Sequence, residues 1–284
     1  MKRVPILVLV ALLFSVCPAA AVTPGRAHAL DPARTGLPFE TVTFTSAADS
    51  VTLSGWWFDG PAGAPVVVCC PRGRGTMADL LPSVRELSRR GFSVMTFDYR
   101  DFGPGGPGAT DSLANLVFAS RWVQDAVGAL RFAKARSGGR PVFAWGQDVG
   151  SAVAAAAAAR DWKAVDAIAI EGLFRTSLEQ VEANGTAQIP GVSRMHRLAV
   201  DPRDEPISSV PALRVPLLIV LAGKDAATPP ATTRRIAMRS LSIIDTWTIP
   251  AAGHDGAELT PGYFDRLAAW FKRIASLLAV PAHK

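Results

Sequence analysis

The chain contains 284 residues, of which 49% are hydrophobic and 19% are charged, and its formal net charge is +6 at pH 7. This balance is typical of a folded globular protein and excludes a largely disordered chain. The length fits either one α/β domain or two smaller domains. The mild basic excess could favour an anionic membrane surface, whereas no basic run interleaved with aromatic residues indicates nucleic-acid binding.

The N-terminus has the pattern of a secretory signal peptide. Lys2 and Arg3 precede an apolar run over residues 4–16, and Pro18 and three alanines follow it. The run is shorter than the roughly 20 residues that a membrane-spanning helix needs. We therefore expect residues 1–21 to be removed by cleavage after Ala21 and the protein to be secreted or periplasmic.

Two other fates of this segment stay open. Cys17 could be the acylated residue of a lipoprotein, although Val16 stands where a lipobox has a small residue. The segment could also remain attached as an uncleaved anchor. A second A-x-A site at residues 27–29 lies far from the apolar run, which makes it a poorer cleavage site than Ala21.

Only Cys69 and Cys70 would remain after such a cleavage. Adjacent residues of a strand point to opposite faces, so these two thiols are not placed to form a disulfide with each other. No C-x-x-C spacing or histidine cluster accompanies them. The sequence therefore predicts two buried strand cysteines, no metal site and no cofactor.

The rest of the chain alternates strands and helices. Residues 22–38 lack periodicity and predict a flexible lead-in to a domain over residues 39–280. Segments 41–45 and 52–58 predict an antiparallel hairpin. Further strands are predicted over 65–70, 92–98, 141–145, 165–170, 216–221 and 243–249. Helices are predicted over 77–90, from Asp111 or Ser112 to 136, and over 151–159, 232–239 and 263–278.

Residues 172–215 interrupt this alternation. They contain several prolines and little periodicity, which predicts a small insertion over the site with one or two short helices. The order of the other elements predicts an α/β fold, with a mostly parallel central sheet covered by helices on both faces. Such a sheet binds its ligands at the carboxyl ends of its strands.

Gly146-Gln147-Asp148-Val149-Gly150 is the most informative stretch. It lies between an apolar strand and an alanine-rich helix, which is the context of a nucleophile elbow. Glycines flank the central residue of such an elbow because the turn is strained and the backbones crowd against it. The central residue is usually serine, but here it is Asp148.

Two further polar residues follow predicted strands downstream of the elbow. Asp225 comes after Leu221-Ala222-Gly223-Lys224, and His254 comes after Gly253. The order nucleophile, acid, histidine is that of an α/β-hydrolase triad. Asp98-Tyr99-Arg100-Asp101-Phe102-Gly103 is similar to that family's DYRGFG motif.

On these motifs the chain resembles the α/β-hydrolase superfamily from about Phe39 to Ile274. The resemblance is to small serine hydrolases with little or no cap, which include lipases, esterases and S33-type peptidases. It implies the α/β-hydrolase fold and a site formed by Asp148, Asp225 and His254. Arg72-Gly73-Arg74 stands where the family has its oxyanion loop, so the resemblance implies that the backbone N–H groups of Arg74 and Val149 stabilise negative charge.

Aspartate at the elbow changes the expected chemistry. A carboxylate can displace a leaving group from a saturated carbon, and His254 would then activate water to hydrolyse the resulting ester. Haloalkane dehalogenases and epoxide hydrolases are similar in this respect, and Gln147-Asp148-x-Gly150 matches part of their elbow. However, Val149 replaces a halide-binding tryptophan, and the insertion lacks the tyrosine pair of epoxide hydrolases.

Two functions therefore stay open. The first is a hydrolase acting on a small or lipid-like ester or related bond, with Asp148 as nucleophile, His254 as base and Asp225 as the acid that orients it. The second is a serine hydrolase that has lost its nucleophile and binds a ligand outside the cytoplasm. The expected partner of the hydrolase is a small-molecule or lipid-like substrate, whereas the binding protein would hold a lipid, a peptide or cell-wall material. The sequence does not indicate an oligomeric state.

Overall fold

We describe a computed structural model of the chain, in which residues 22–104, 118–183, 188 and 190–279 are described. The predicted signal peptide and the predicted start of a helix at Asp111 or Ser112 lie outside these residues. Among the described residues, no helix is both long and apolar enough to cross a membrane.

An eight-stranded sheet forms the centre of the fold. Its strands are β1 (Glu40–Thr45), β2 (Thr52–Phe58), β3 (Val66–Cys70), β4 (Ser93–Phe97), β5 (Val142–Gln147), β6 (Ala167–Glu171), β7 (Leu217–Ala222) and β8 (Ile244–Ile249). Their order across the sheet is β8-β7-β6-β5-β3-β4-β2-β1. Strand β2 pairs antiparallel with both β1 and β4, and the other pairs are parallel. The predicted hairpin and mostly parallel sheet are thus confirmed.

Helices cover both faces of the sheet. They are α1 (Leu81–Arg89), α2 (Ser120–Arg136), α3 (Val149–Arg160), α4 (Ser177–Ala183), α5 (Val192–Ala199), α6 (Pro206–Ser209), α7 (Pro230–Ala237) and α8 (Tyr263–Ala279). One apolar core lies between the sheet and α2 and α3, and the other lies between the sheet and α1 and α8. Cys69 and Cys70 are buried in different cores, as their adjacency in β3 predicts.

Close packing holds helix α3 against the sheet. Its face is built from alanines, which are fully buried and let the helix approach the strands closely. A Cβ atom at Gly150 would lie 2.4 Å from the carbonyl oxygen of Cys70, and one at Gly146 would lie 2.2 Å from the carbonyl oxygen of Gly150. Both glycines are therefore required where strand β5 turns into α3.

The structure differs from the sequence prediction in the lead-in. Residues 22–38 were predicted to be flexible, but Thr23–Pro24 pairs in parallel with Arg74–Gly75, and Val22 is fully buried. His28 Nε2 lies 2.7 Å from Asp98 Oδ2, and Gly103 N donates to Gly25 O at 2.8 Å. The prediction failed because these contacts are made to distant parts of the chain, and no local periodicity reveals them.

The described residues of the insertion between residues 172 and 215 form three short helices, α4, α5 and α6, rather than the one or two that were predicted. The Ser177 hydroxyl donates to Glu205 Oε1 at 2.6 Å, and the Ser177 amide donates to Glu205 Oε2 at 2.8 Å. His196 Nε2 lies 2.6 Å from the same hydroxyl oxygen. This buried cluster ties α4, α5 and the start of α6 together, and it fixes the position of α4.

The packing at Gly150 gives a stability prediction. Gly150→Ala should lower the free energy of unfolding by about 1–3 kcal/mol, because the added methyl group would overlap a backbone carbonyl that cannot rotate away. Gly253→Ala is the control, since no atom lies within 4 Å of the Cβ position there. Denaturant titration measures both variants, and equal stabilities would contradict the packing argument.

Candidate active site

Asp148 occupies the apex of the turn between β5 and α3. Its backbone dihedral φ is 52° and ψ is −121°, in a region that non-glycine residues rarely adopt. The Asp148 amide donates to the carbonyl oxygen of Glu171 at 2.9 Å, and its carbonyl oxygen accepts from Ser151 N at 3.0 Å. These bonds hold the strained turn, so the carboxylate stands at the carboxyl edge of the sheet.

The other two predicted site residues meet Asp148 at this edge. His254 Nδ1 lies 2.9 Å from Asp225 Oδ2, and His254 Nε2 lies 3.9 Å from Asp148 Oδ2. The backbone amide of Thr228 also donates to Asp225 Oδ1 at 2.7 Å. Asp225 thus fixes the ring orientation of His254 and leaves Nε2 directed toward Asp148.

Gln180 of helix α4 is a site residue that sequence reasoning missed. Its amide Nε2 donates to Asp148 Oδ1 at 2.7 Å, and its Oε1 atom is buried with no hydrogen-bond partner. Asp148 and Gln180 are only 6% and 7% exposed. No periodic pattern surrounds Gln180 in the sequence, so only the folded insertion brings it to the carboxylate.

The neighbouring carboxylates strongly raise the pKa of His254. The carboxylates of Asp148 and Asp225, on either side of the ring, raise the pKa of His254 to about 10. Burial opposes this effect because it disfavours the imidazolium. For Asp225, burial favours the neutral acid, but hydrogen bonds from His254 and Thr228 hold the pKa below its usual value. At neutral pH the site therefore contains an imidazolium between two acidic side chains.

The predicted oxyanion loop lies beside the elbow. A Cβ atom at Gly73 would lie 2.7 Å from the Val149 Cβ atom, which places the loop directly against the start of α3. Val149 is the first residue of α3, so its N–H group has no acceptor within the helix. This contact places Gly73 of the predicted oxyanion loop against Val149, whose N–H group is one of the two predicted donors.

The two arginines of this loop have different partners. Arg72 forms an ion pair with Glu258. Arg74 Nη2 lies 2.6 Å from Asp255 Oδ1 and 3.9 Å from Asp148 Oδ2. Arg74 therefore adds a second cation to the surroundings of Asp148.

A buried polar network lies behind the elbow. Glu171, at the end of β6, accepts from Tyr263 OH at 2.7 Å and from Gln147 Nε2 at 3.1 Å. Burial raises the pKa of Glu171 to about 7, although these two donors oppose the rise. The position of Glu171 directly after a predicted strand is a sequence signal that could have identified it.

Other side chains are not placed to replace Asp148. Ser151 is fully buried, and its hydroxyl accepts from Glu171 N at 2.9 Å. Both tyrosines are buried as well, and Tyr99 OH donates to the carbonyl oxygen of Pro71 at 3.0 Å. Within the described residues, no group of three or more His, Cys, Asp or Glu side chains is arranged to hold a metal ion.

Known proteins with similar sequences are hydrolases or lack a stated activity. The family model described as serine aminopeptidase, S33, matches residues 63–185. An uncharacterized protein of Mycobacterium tuberculosis is 29% identical over 234 residues, which cover 80% of this chain and 76% of that protein. The lysophosphatidylserine lipase ABHD12 of Gallus gallus is 31% identical over 104 residues, which cover 34% of this chain and only 25% of the lipase.

Solved structures support the fold. The Pyrococcus furiosus esterase Pf2001 superposes with a TM-score of 0.70 over 88% of this chain and 98% of the esterase, at 16% sequence identity. The α/β hydrolase GrgF of a Penicillium species superposes with a TM-score of 0.62 over 84% of this chain and 100% of that protein, at 17% identity. The sheet order, the elbow and these likenesses show that the chain has the α/β-hydrolase fold, and the family-model match supports a relation to α/β hydrolases over residues 63–185.

Proposed function

We propose that the protein is a hydrolase in which Asp148 is the nucleophile, His254 the base and Asp225 the acid that orients the histidine. The observation that carries this proposal is the placement of the Asp148 carboxylate at a strained elbow, 3.9 Å from a histidine that Asp225 holds in position. The substrate is a small or lipid-like molecule with an ester or related bond. The esterase and lipase names of similar proteins support this class of bond.

The first step is attack by Asp148 Oδ2 on a carbon of the substrate. Attack on the acyl carbon of an ester would give an anhydride, which is a poor intermediate, so the alkyl carbon is the better target. A new bond forms from Oδ2 to that carbon, and the bond to the leaving group breaks. The leaving group departs with the electron pair, close to the imidazolium of His254 and the guanidinium of Arg74.

Ester formation converts His254 into a base. The interaction with the Asp148 side chain is the largest cause of the raised pKa of His254, and the ester removes the carboxylate that makes it. The pKa of His254 then falls, and the ring releases its proton to the departing group or to solvent. A neutral imidazole, still held by Asp225, is ready to accept a proton from water.

Water then hydrolyses the Asp148 ester. His254 Nε2 takes a proton from water, and the hydroxide adds to the carbonyl carbon of the Asp148 ester. The backbone N–H groups of Arg74 and Val149 stabilise the oxyanion. Collapse of this intermediate expels an alkoxide, which regains the proton from His254, and Asp148 is left with one oxygen atom from water.

Gln180 supports this assignment of roles to the two carboxylate oxygens. Its amide holds Oδ1 at 2.7 Å, so Oδ2 is the oxygen left to attack. Because helix α4 covers Asp148, substrate entry requires Gln180 to move or the reacting carbon to approach from the side of Arg74.

The polar contacts of the Asp148 carboxylate also favour a second candidate, a lapsed serine hydrolase that binds a ligand outside the cytoplasm. Both Asp148 oxygens already have polar neighbours, as they would in an ion-pair network that replaced a serine nucleophile. Both candidates include export by the predicted signal peptide. If Asp148→Ser creates esterase activity that the native protein lacks, the second candidate is the better one.

A single turnover in heavy-oxygen water tests the nucleophile. With a panel of alkyl esters, epoxides and haloalkanes, we expect mass analysis to detect one heavy oxygen in the Asp148 peptide, because water attacks the aspartyl ester. His254→Gln should form the ester and accumulate it. Turnover that persists unchanged in Asp148→Ala would refute the covalent mechanism, and no turnover with any substrate would refute the enzymatic role for these substrate classes.

Gln180→Leu tests the role of the Gln180 side chain. The loss of a hydrogen bond to a charged oxygen should slow ester formation about 10- to 100-fold, because the carboxylate can then rotate. Glu182→Gln, an exposed change on the same helix, is the matched control. Rapid-quench measurement of the ester separates this step from hydrolysis, and equal rates for both variants would exclude a role for Gln180.

The raised pKa of His254 predicts a pH dependence of stability. The folded state holds the His254 proton more tightly than the unfolded state, so His254 stabilises the fold fully below its unfolded pKa, near the usual value of 6.5. This contribution is lost as the pH rises toward about 10. The difference in unfolding free energy between wild type and His254→Gln should therefore shrink over this range of pH.

The same pKa can be measured directly. Proton NMR should show a lower pKa for His254 in Asp148→Asn than in the wild type.

A further inference from the structure

Five large apolar side chains are exposed around the amino-terminal end of the edge strand β8. Their exposed fractions are 86% for Met238, 98% for Leu241, 70% for Ile243, 61% for Leu277 and 51% for Leu278. We call these residues, with the basic side chains Arg214, Arg235, Arg239, Lys272 and Arg273, the basal patch. It includes more than half of the nine large hydrophobic residues that are exposed in the described part of the chain.

The fold brings three separate segments to the basal patch. The segment after α7 is tied to the start of β7, since Leu217 N donates to Ile243 O at 2.9 Å and Ser242 Oγ donates to Leu213 O at 2.6 Å. Helix α8 runs antiparallel to β8, and Trp270 Nε1 donates to Asp245 Oδ2 at 2.6 Å. The last two turns of α8 therefore end at the same edge as the start of β8.

The basal patch is strongly basic. The five basic side chains of the basal patch have one acidic residue, Asp245, beside them, which leaves a balance of +4. Asp245 pairs with Arg273, whereas Arg214, Arg235 and Arg239 have no ion-pair partner among the described residues. Arginines elsewhere, such as Arg100 and Arg160, are paired with aspartates.

From this combination we propose that the basal patch docks on an anionic lipid bilayer. Exposed apolar side chains can enter the boundary between headgroups and acyl chains, while unpaired arginines beside them contact anionic headgroups. An apolar cluster of this kind rimmed by one sign of charge is uncommon on a monomeric soluble protein. The docking requires neither the proposed hydrolase activity nor the predicted leader.

Charge favours a bilayer over a second copy of the chain. A twofold dimer would bring the same surface of each copy together, so unpaired arginines would face unpaired arginines. The resulting repulsion opposes association, because among the described residues of this surface Asp245 is the one acidic side chain, and it already pairs with Arg273. An anionic surface instead supplies the missing negative charge.

The proposed docking determines which way the candidate active site faces relative to the bilayer. Asp148 and His254 follow the carboxyl ends of β5 and β8, whereas the basal patch lies at the amino ends. A six-residue strand separates these two edges by roughly 17–20 Å. The site opening would thus face away from the lipid, and substrate would arrive from the aqueous side.

Co-sedimentation with vesicles tests the proposal on the full-length chain, without any substrate. Vesicles of phosphatidylcholine alone are compared with vesicles that also contain phosphatidylglycerol, at low salt and at about 0.5 M salt, where charge is screened within a few ångströms. We expect at least ~10-fold stronger partitioning to the anionic vesicles at low salt. Two variants should each reduce this partitioning about 10-fold. One is the triple variant Met238→Ser/Leu241→Ser/Ile243→Ser, and the other is the double variant Arg235→Gln/Arg239→Gln.

Two control variants locate the docking face. Arg34→Gln/Arg85→Gln removes the same charge from exposed side chains elsewhere, and Leu198→Ser/Leu259→Ser removes exposed leucines from the insertion and the loop after His254. Neither control should change the partitioning. The proposal is wrong if anionic vesicles do not bind the protein, if the leucine control abolishes binding, or if sedimentation shows a dimer that the basal-patch variants dissociate.

Discussion

The strained turn between β5 and α3 is the constraint on which the site depends. Asp148 adopts a backbone conformation that costs free energy, and it is kept there by the close packing of α3 on the sheet. Gly146 and Gly150 permit this approach because neither carries a Cβ atom. The packing sets the direction of one side chain, and every contact of the carboxylate follows from that direction.

Charge coupling then determines what the carboxylate can do. His254 lies between two acidic side chains, which raise its pKa to about 10. In the proposed mechanism, the covalent step removes one of these charges and thereby prepares the base for the next step. A serine at position 148 would carry no charge to remove, and His254 would have to act as a base from the start.

The insertion and the lead-in both support the site from outside the sheet. Gln180 reaches Asp148 from α4, whose place depends on the buried contacts among Ser177, His196 and Glu205. The lead-in pairs with Arg74–Gly75 and so restrains the loop next to Val149. A compact site thus results from three parts of the chain that are distant in sequence.

The sequence alone determined the α/β-hydrolase fold and the elements that carry Asp148, Asp225 and His254, because strand periodicity, flanking glycines and chain order are local properties. By resemblance it also predicted the backbone N–H groups of Arg74 and Val149 as an oxyanion hole. Only the tertiary structure decided the contact of Gln180 with Asp148, the ordered lead-in, the proximity of Arg74 and the raised pKa values of His254 and Glu171. These features depend on burial and on distances between remote segments, which a linear pattern does not contain.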